Sequence, residues 1–200
     1  GLSPKLEGEE MRVNYKGFKG GDRTSIELPE TQRQYIAELA KTGKPIIFVH
    51  LSGSAVALAP EAEICDAILQ GWYAGQQGGT AIADVLFGDY NPAGRLPVTF
   101  YASDADLPDF GDYDMPGHTY RYFQGKPLFP FGHGLSYTSF EYSDIVCDEN
   151  KVTFRITNTG DAAGAEVAQL YVSAKTEGVF RPAKELKGFA RVELEPGESK

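Results

Sequence analysis

The spacing of apolar residues changes three times along the chain, which divides it into stretches of different texture. Residues 1–28 follow neither a helical nor a strand period, and with Gly17, Gly20 and Gly21 they read as loop. From Pro29 the spacing becomes helical. Tyr35, Ile36, Leu39 and Ala40 recur at helical intervals, Pro29 suits a first turn, Gly43 fits a C-terminal cap and Pro45 blocks continuation. "PIIFVHLSG" is then a short run apolar on both faces, which predicts a buried strand of the parallel type. "AVAL" and "AILQGWYAG" predict two more short strands. "GGTAIADVLFG" predicts a helix with Ile82, Val85 and Leu86 on one face and Gly88 at its end. "NPAGRLPVTF" predicts a turn leading into a strand. Strands alternating with helices predict an α/β layer on a mostly parallel sheet.

After Phe100 the texture shifts. Residues 101–136 are rich in Asp, Pro, Gly and Tyr, and "TYRYFQGKPLFPFGHGLSYTSFEYS" is aromatic without a helical period. It reads as an ordered connector lying on another surface. From Phe140 the period is two. Val152, Phe154 and Ile156 alternate with polar residues; Val167, Gln169 and Tyr171 oppose Leu170 and Val172; "KELKGFARVELEPGES" continues in kind. Asn-Thr-Gly and Glu-Pro-Gly turns between such strands predict a β-sandwich. A seven-stranded sandwich takes roughly 100 residues, so the four or so strands before Lys200 are expected to form an incomplete one.

Composition narrows the function classes. With 200 residues and 42% hydrophobic content, the chain can bury the core of one domain, or of one and part of a second. A net charge of −9 with scattered Lys and Arg argues against nucleic-acid binding, which needs a concentrated basic face. No apolar run approaches the roughly 20 residues that span a bilayer, so no membrane partner is expected. The polar, Pro-containing start at Gly1 has no signal-peptide pattern, as expected of a mature chain or of part of a longer one. Cys65 and Cys147 form no CxxC pair, and His50, His118 and His133 are scattered, so no zinc site and no cofactor are expected. The two cysteines read as buried free thiols.

Four segments carry candidate chemistry. Glycines before the "TAIADVLFG" helix resemble a phosphate cradle, but GxGxxG and the GxxxxGK[ST] lysine are both absent, so a tight turn accounts for them. Ser52 and Ser54 follow a strand in "HLSGSAV" without a GxSxG elbow. Asp22 and Arg23 in "GGDR" form either a surface pair or an anchor that binds a hydroxyl. Glu7-Gly8-Glu9-Glu10 is a solvated loop or a source of acid chemistry, because clustered carboxylates raise one another's pKa and a general acid near neutral pH needs that.

"GWYAGQQGGTAIADVLFGDYNPAGRLPVTF" followed by "TYRYFQGKPLFPFGHGLSYTSFEYS" resembles glycoside hydrolase family 3 over nearly the whole chain. Ala74 stands where that family usually has proline, and Gln77 where it has glutamate. The resemblance implies a retaining exo-β-glycosidase: a (β/α)8 barrel with an aspartate nucleophile, an α/β sandwich that supplies the acid/base glutamate, and a fibronectin type III-like domain. By that resemblance, residues 1–116 are the C-terminal part of the sandwich, 117–139 a connector, and 140–200 an incomplete fibronectin type III-like domain. The barrel is expected outside this chain, so the isolated 200 residues are expected to be inactive. Aligning the family's acid/base loop places the acid/base on Glu9, with Glu7 second and Glu10 third, and Asp22 and Arg23 at the substrate. The implied partners are an oligosaccharide substrate, with xylose slightly favoured over glucose, and the barrel of the same enzyme; a homodimer is left open. The implied location is periplasmic or secreted. A non-catalytic carbohydrate-binding or scaffolding module is the alternative that the β-rich, aromatic second half would serve.

Overall fold

Pro29 precedes the first helix of a computed structural model that describes residues 14–174 and 176–200. The chain forms two units. One comprises residues up to 78 together with 98–130; the other comprises 79–97 together with 131–200.

In the first unit a two-residue hairpin, β1 (Phe18–Lys19) and β2 (Asp22–Arg23), precedes α1 (Glu30–Ala40). Proline lacks the amide proton that a helix start leaves unpaired, so Pro29 costs nothing there. Gly43, at φ +66, closes the helix as the sequence predicts, its amide donating to the Ala40 carbonyl at 3.1 Å. Of the four periodic apolar residues only Ile36 is buried; Tyr35 is well exposed. β3 (Ile47–His50) and β4 (Ala67–Gln70) pair in parallel, as the unbroken apolar run predicts, with Ile47 opposite Ala67 and His50 opposite Gln70. The run is not buried throughout, since Ile47 is exposed and His50 is enclosed.

Two expectations are corrected here. "AVAL" forms no strand: Ala57 makes a single parallel bridge to Glu27, and the chain then enters α2 (Ala59–Ile64). Pro60 in the first turn of α2 favours helix entry where the apolar run alone suggested extension. "LPVTF" likewise makes only the Phe100–Phe129 bridge. The core gathers Leu28, Ile36, Val56 and Leu58, with Phe48, Cys65, Ile68 and Leu128 packed against them.

Beside this core lies an ionic cluster built on one buried carboxylate. Glu61 is fully enclosed, and Arg33 Nε donates to its Oε1 at 2.9 Å. Arg33 Nη1 donates to Glu27 Oε2 at 2.9 Å, and Nη2 to the Ala57 carbonyl at 3.1 Å. Burial works against the Arg33 charge, but hydrogen bonds to Glu61 and Glu27 outweigh it and raise the pKa of the guanidinium.

In the second unit α3 (Gly78–Phe87) ends at Gly88, φ +85, as predicted. The strands β5 (Phe140–Cys147) and β6 (Val152–Asn158) pair antiparallel, as do β7 (Gly164–Val172) and β8 (Glu185–Leu194). Ile156, Ala168 and Leu194 form the core, with Phe140 and Val192 against it. Asn158 is fully buried and fully paired. Its amide donates to the Ala162 and Leu194 carbonyls, and its Oδ1 accepts from Thr138 Oγ1 and the Gly160 amide. The expected burial of both thiols is corrected: Cys65 is half-buried, but Cys147, at the end of β5, is exposed.

The motif residues that follow α3 hold this unit together. Asn91 Oδ1 accepts from Ser136 Oγ at 2.9 Å and the Tyr137 amide at 2.8 Å, while its Nδ2 donates to the Ala163 carbonyl at 2.9 Å. Arg95 Nη2 donates to Glu166 Oε2 at 2.5 Å, and the same carboxylate accepts from the Tyr142 hydroxyl. Gly134 must be glycine, because a Cβ there would lie 2.2 Å from the Gly94 carbonyl oxygen.

Two outcomes follow for stability. Arg33→Leu strands the enclosed Glu61 carboxylate and is expected to cost about 3–5 kcal/mol. Adding Glu61→Leu is expected to recover much of that, in urea denaturation followed by the fluorescence of Trp72, the one tryptophan of the chain. Asn91→Ala removes the acceptor of the Ser136 hydroxyl and the Tyr137 amide and the donor to the Ala163 carbonyl, and is expected to cost about 1–3 kcal/mol in the same measurement.

Candidate functional site

Glu7 and Glu9, and Glu10 beside them, lie outside the described residues. The described part of the predicted site begins at the hairpin downstream of them, with Asp22 and Arg23 in β2. Successive strand residues face opposite sides, so these adjacent charges diverge. Asp22 is exposed and Arg23 half-buried.

Arg23 organises the backbone around it. Its Nε donates to the Ser25 carbonyl at 3.1 Å and its Nη2 to the Glu27 carbonyl at 2.9 Å. Its guanidinium lies 6.0 Å from the centroid of the Phe18 ring. Phe18 in turn meets Tyr15 edge-on, and the Tyr15 hydroxyl hydrogen-bonds Thr31 Oγ1 at the start of α1. The planar fork of arginine suits two carbonyls at once, which lysine cannot match. The segment from 23 to 27 is thereby held as a fixed turn that hands the chain to Glu27. Glu27 joins the ionic cluster through Arg33, and Asp104 Oδ1 accepts from the neighbouring Ile26 amide at 2.7 Å.

The sequence reading singled out Asp22 and Arg23 but passed over Glu27, Arg33, Glu61 and Asp104. Their separations, up to 78 positions between Ile26 and Asp104, leave no local signal. The serine candidates are occupied locally. Ser52 is fully buried and its hydroxyl donates to the Ser54 carbonyl at 2.7 Å, a turn-stabilising bond. His50 is enclosed at the end of β3, its Nδ1 2.6 Å from Gln70 Oε1 on β4. The glycines before α3 form a turn in which the Gly78 amide donates to the Gly75 carbonyl.

Comparison with known proteins places this architecture. The glycosyl hydrolase family 3 C-terminal domain matches residues 1–137, and a fibronectin type III-like domain matches residues 166–200. The chain belongs to glycosyl hydrolase family 3, and the expected α/β part followed by an all-β part is what its described residues form. A xylan 1,4-beta-xylosidase of Xylanibacter ruminicola is 54% identical over 205 aligned positions, covering 100% of this chain and 24% of that protein. A periplasmic beta-glucosidase of Salmonella typhimurium is 43% identical, over 91% of this chain and 26% of its own length. Among solved structures, beta-glucosidase 3B from Thermotoga neapolitana, in complex with glucose, superposes with a TM-score of 0.81 at 35% identity, over 93% of this chain and 29% of that one. The chain therefore spans about a quarter of the length of these relatives.

Arg23→Lys keeps the charge and loses the fork. It is expected to cost about 1.5–3 kcal/mol, the range for hydrogen bonds to a charged group. Faster exchange of the Thr24 amide, bonded to the Gly17 carbonyl at 2.8 Å, would accompany it.

Proposed function

We propose that this chain is part of a retaining exo-β-glycosidase that releases terminal, non-reducing β-linked sugars from oligosaccharides, and that it carries the acid/base glutamate of that enzyme. The observation that supports this most strongly is the 54% identity, along the whole chain, to a xylan 1,4-beta-xylosidase. That relative also favours xylose over glucose, although beta-glucosidases share the family. Glu9 is the acid/base in this reading, with Glu7 next; Asp22 and Arg23 lie at the substrate. A (β/α)8 barrel elsewhere in the full enzyme supplies the carboxylate nucleophile. A periplasmic or secreted location fits the periplasmic relative, and no helix among the described residues is long and apolar enough to cross a membrane.

The chemistry assigns Glu9 two opposite tasks. The nucleophile attacks the anomeric carbon while Glu9 gives its proton to the departing glycosidic oxygen. Glu9, now a carboxylate, takes a proton from water, whose oxygen attacks the same carbon and frees the nucleophile. Its pKa must therefore be high before the first step and low after it. In this reading Glu7 and Glu10, close to it in sequence, would raise it, and the guanidinium of Arg12 or Arg23 would oppose that. Arg23, which donates to two backbone carbonyls, serves this reading by fixing the turn that carries Asp22.

Glu9→Gln in the full-length enzyme is expected to lower kcat/KM about 10²–10⁴-fold on substrates whose leaving group needs a proton. Aryl glycosides with acidic leaving groups should lose far less. Glu7→Gln is expected to change the pH profile more than the rate. Full turnover by the Glu9→Gln enzyme would overturn the assignment, and loss in Glu7→Gln instead would move it to Glu7.

A further inference from the structure

In α/β folds, ligands collect outside the carboxyl ends of parallel strands. Here those ends are followed by Ser52-Gly53 after β3 and Gly71-Trp72-Tyr73 after β4. Trp72 has φ +52, a left-handed conformation that is strained for a residue with a side chain. Its neighbour Gly71 would adopt that conformation without cost. The conformation is held by packing: the Trp72 ring meets Phe100 edge-on at 6.1 Å, and Phe100 is buried against Phe129.

The consequence is that two successive aromatic rings part company. Trp72 turns to the core, and Tyr73 stays 65% exposed. Tyr73 does not hang loose. A Cβ at Gly53 would lie 2.6 Å from Tyr73 Cε2 and 3.2 Å from Cδ2, so the ring rests directly on the glycine backbone. An exposed aromatic ring with a fixed seat and a hydroxyl at its tip suits a ligand with apolar faces and polar edges. A β-linked pyranose has that character: its axial C–H groups form a flat apolar face, and its hydroxyls point outward.

We propose that Tyr73 is a stacking platform for the leaving-group side of a β-linked oligosaccharide. This rests on the glycosidase reading above and deepens it. An exo-acting enzyme encloses the terminal sugar, while the remainder of the oligosaccharide runs toward solvent, where an open ring can meet it. Gly53 is a positioning residue, because only its bare backbone lets the ring settle.

The test uses the full-length enzyme and two substrates: the β-1,4-linked trisaccharide of the sugar it releases, and the glycosyl fluoride of that sugar, which has no sugar on the leaving-group side. Tyr73→Ala is expected to raise KM for the trisaccharide about ten-fold, the size of one ring contact. It should leave kcat/KM for the fluoride within two-fold. Tyr73→Phe should keep near-parental values, and Gly53→Ala should follow Tyr73→Ala. Equal losses on both substrates, or no change on the trisaccharide, would overturn the platform while leaving the glycosidase reading intact. A parental enzyme that hydrolyses neither substrate would overturn both.

Discussion

Three segments of the first unit are tied to one enclosed carboxylate. Glu61 is fully enclosed, a position where an unpartnered carboxylate is costly, and Arg33 reaches it from α1. The same guanidinium holds Glu27 and the Ala57 carbonyl. A single side chain therefore connects α1, the start of α2, and the extended segment between Ile26 and Leu28. Because Ala57 also donates to the Ile26 carbonyl, the backbone bridge and the ionic cluster reinforce one another. Arg23 extends this order outward, gripping the Glu27 carbonyl from the hairpin side. The turn that bears Asp22 is thus anchored to the interior through three successive charged residues, none of them next to another in sequence.

The elements were legible where local chemistry decides them. Pro29 and Gly43 bracket α1, Gly88 ends α3, and the unbroken "IIFV" run forms a parallel strand. Period two marked the strands after Phe140. What could not be read was anything that depends on long separation. "AVAL" has the composition of a strand, yet no neighbour offers it a ladder beyond one bridge, so it passes into α2. Cys147 lies in a β-rich segment but ends a strand whose last four residues, 144–147, are all exposed. For the site, the sequence pointed to Asp22 and Arg23, and left Glu27, Arg33 and Glu61 as ordinary charges because their partners lie up to 77 positions away.

The motifs that carry the family resemblance have physical work of their own. Asn91 of "NPAGRLP" is hydrogen-bonded to Ser136 and Tyr137 of "GLSYTSF", and Arg95 of the same stretch pairs with Glu166 on β7. Asn91 satisfies three partners with one short side chain, and Gly134 permits a contact that any Cβ would forbid. Such residues are constrained by packing and pairing, whatever chemistry lies elsewhere in the chain.

The connectivity of the two units bears on how the chain is made. Residues 79–97 pair with partners in 131–200, while the first unit is completed only by residues 98–130. A ribosome releases the chain from its amino end. The first unit must therefore wait, with Phe100 and Leu128 still missing from its core, while α3 emerges before any of residues 131–200 of its own unit. Folding of each unit is interleaved in time with synthesis of the other, and a pause in translation near residue 97 would hold both unfinished at once.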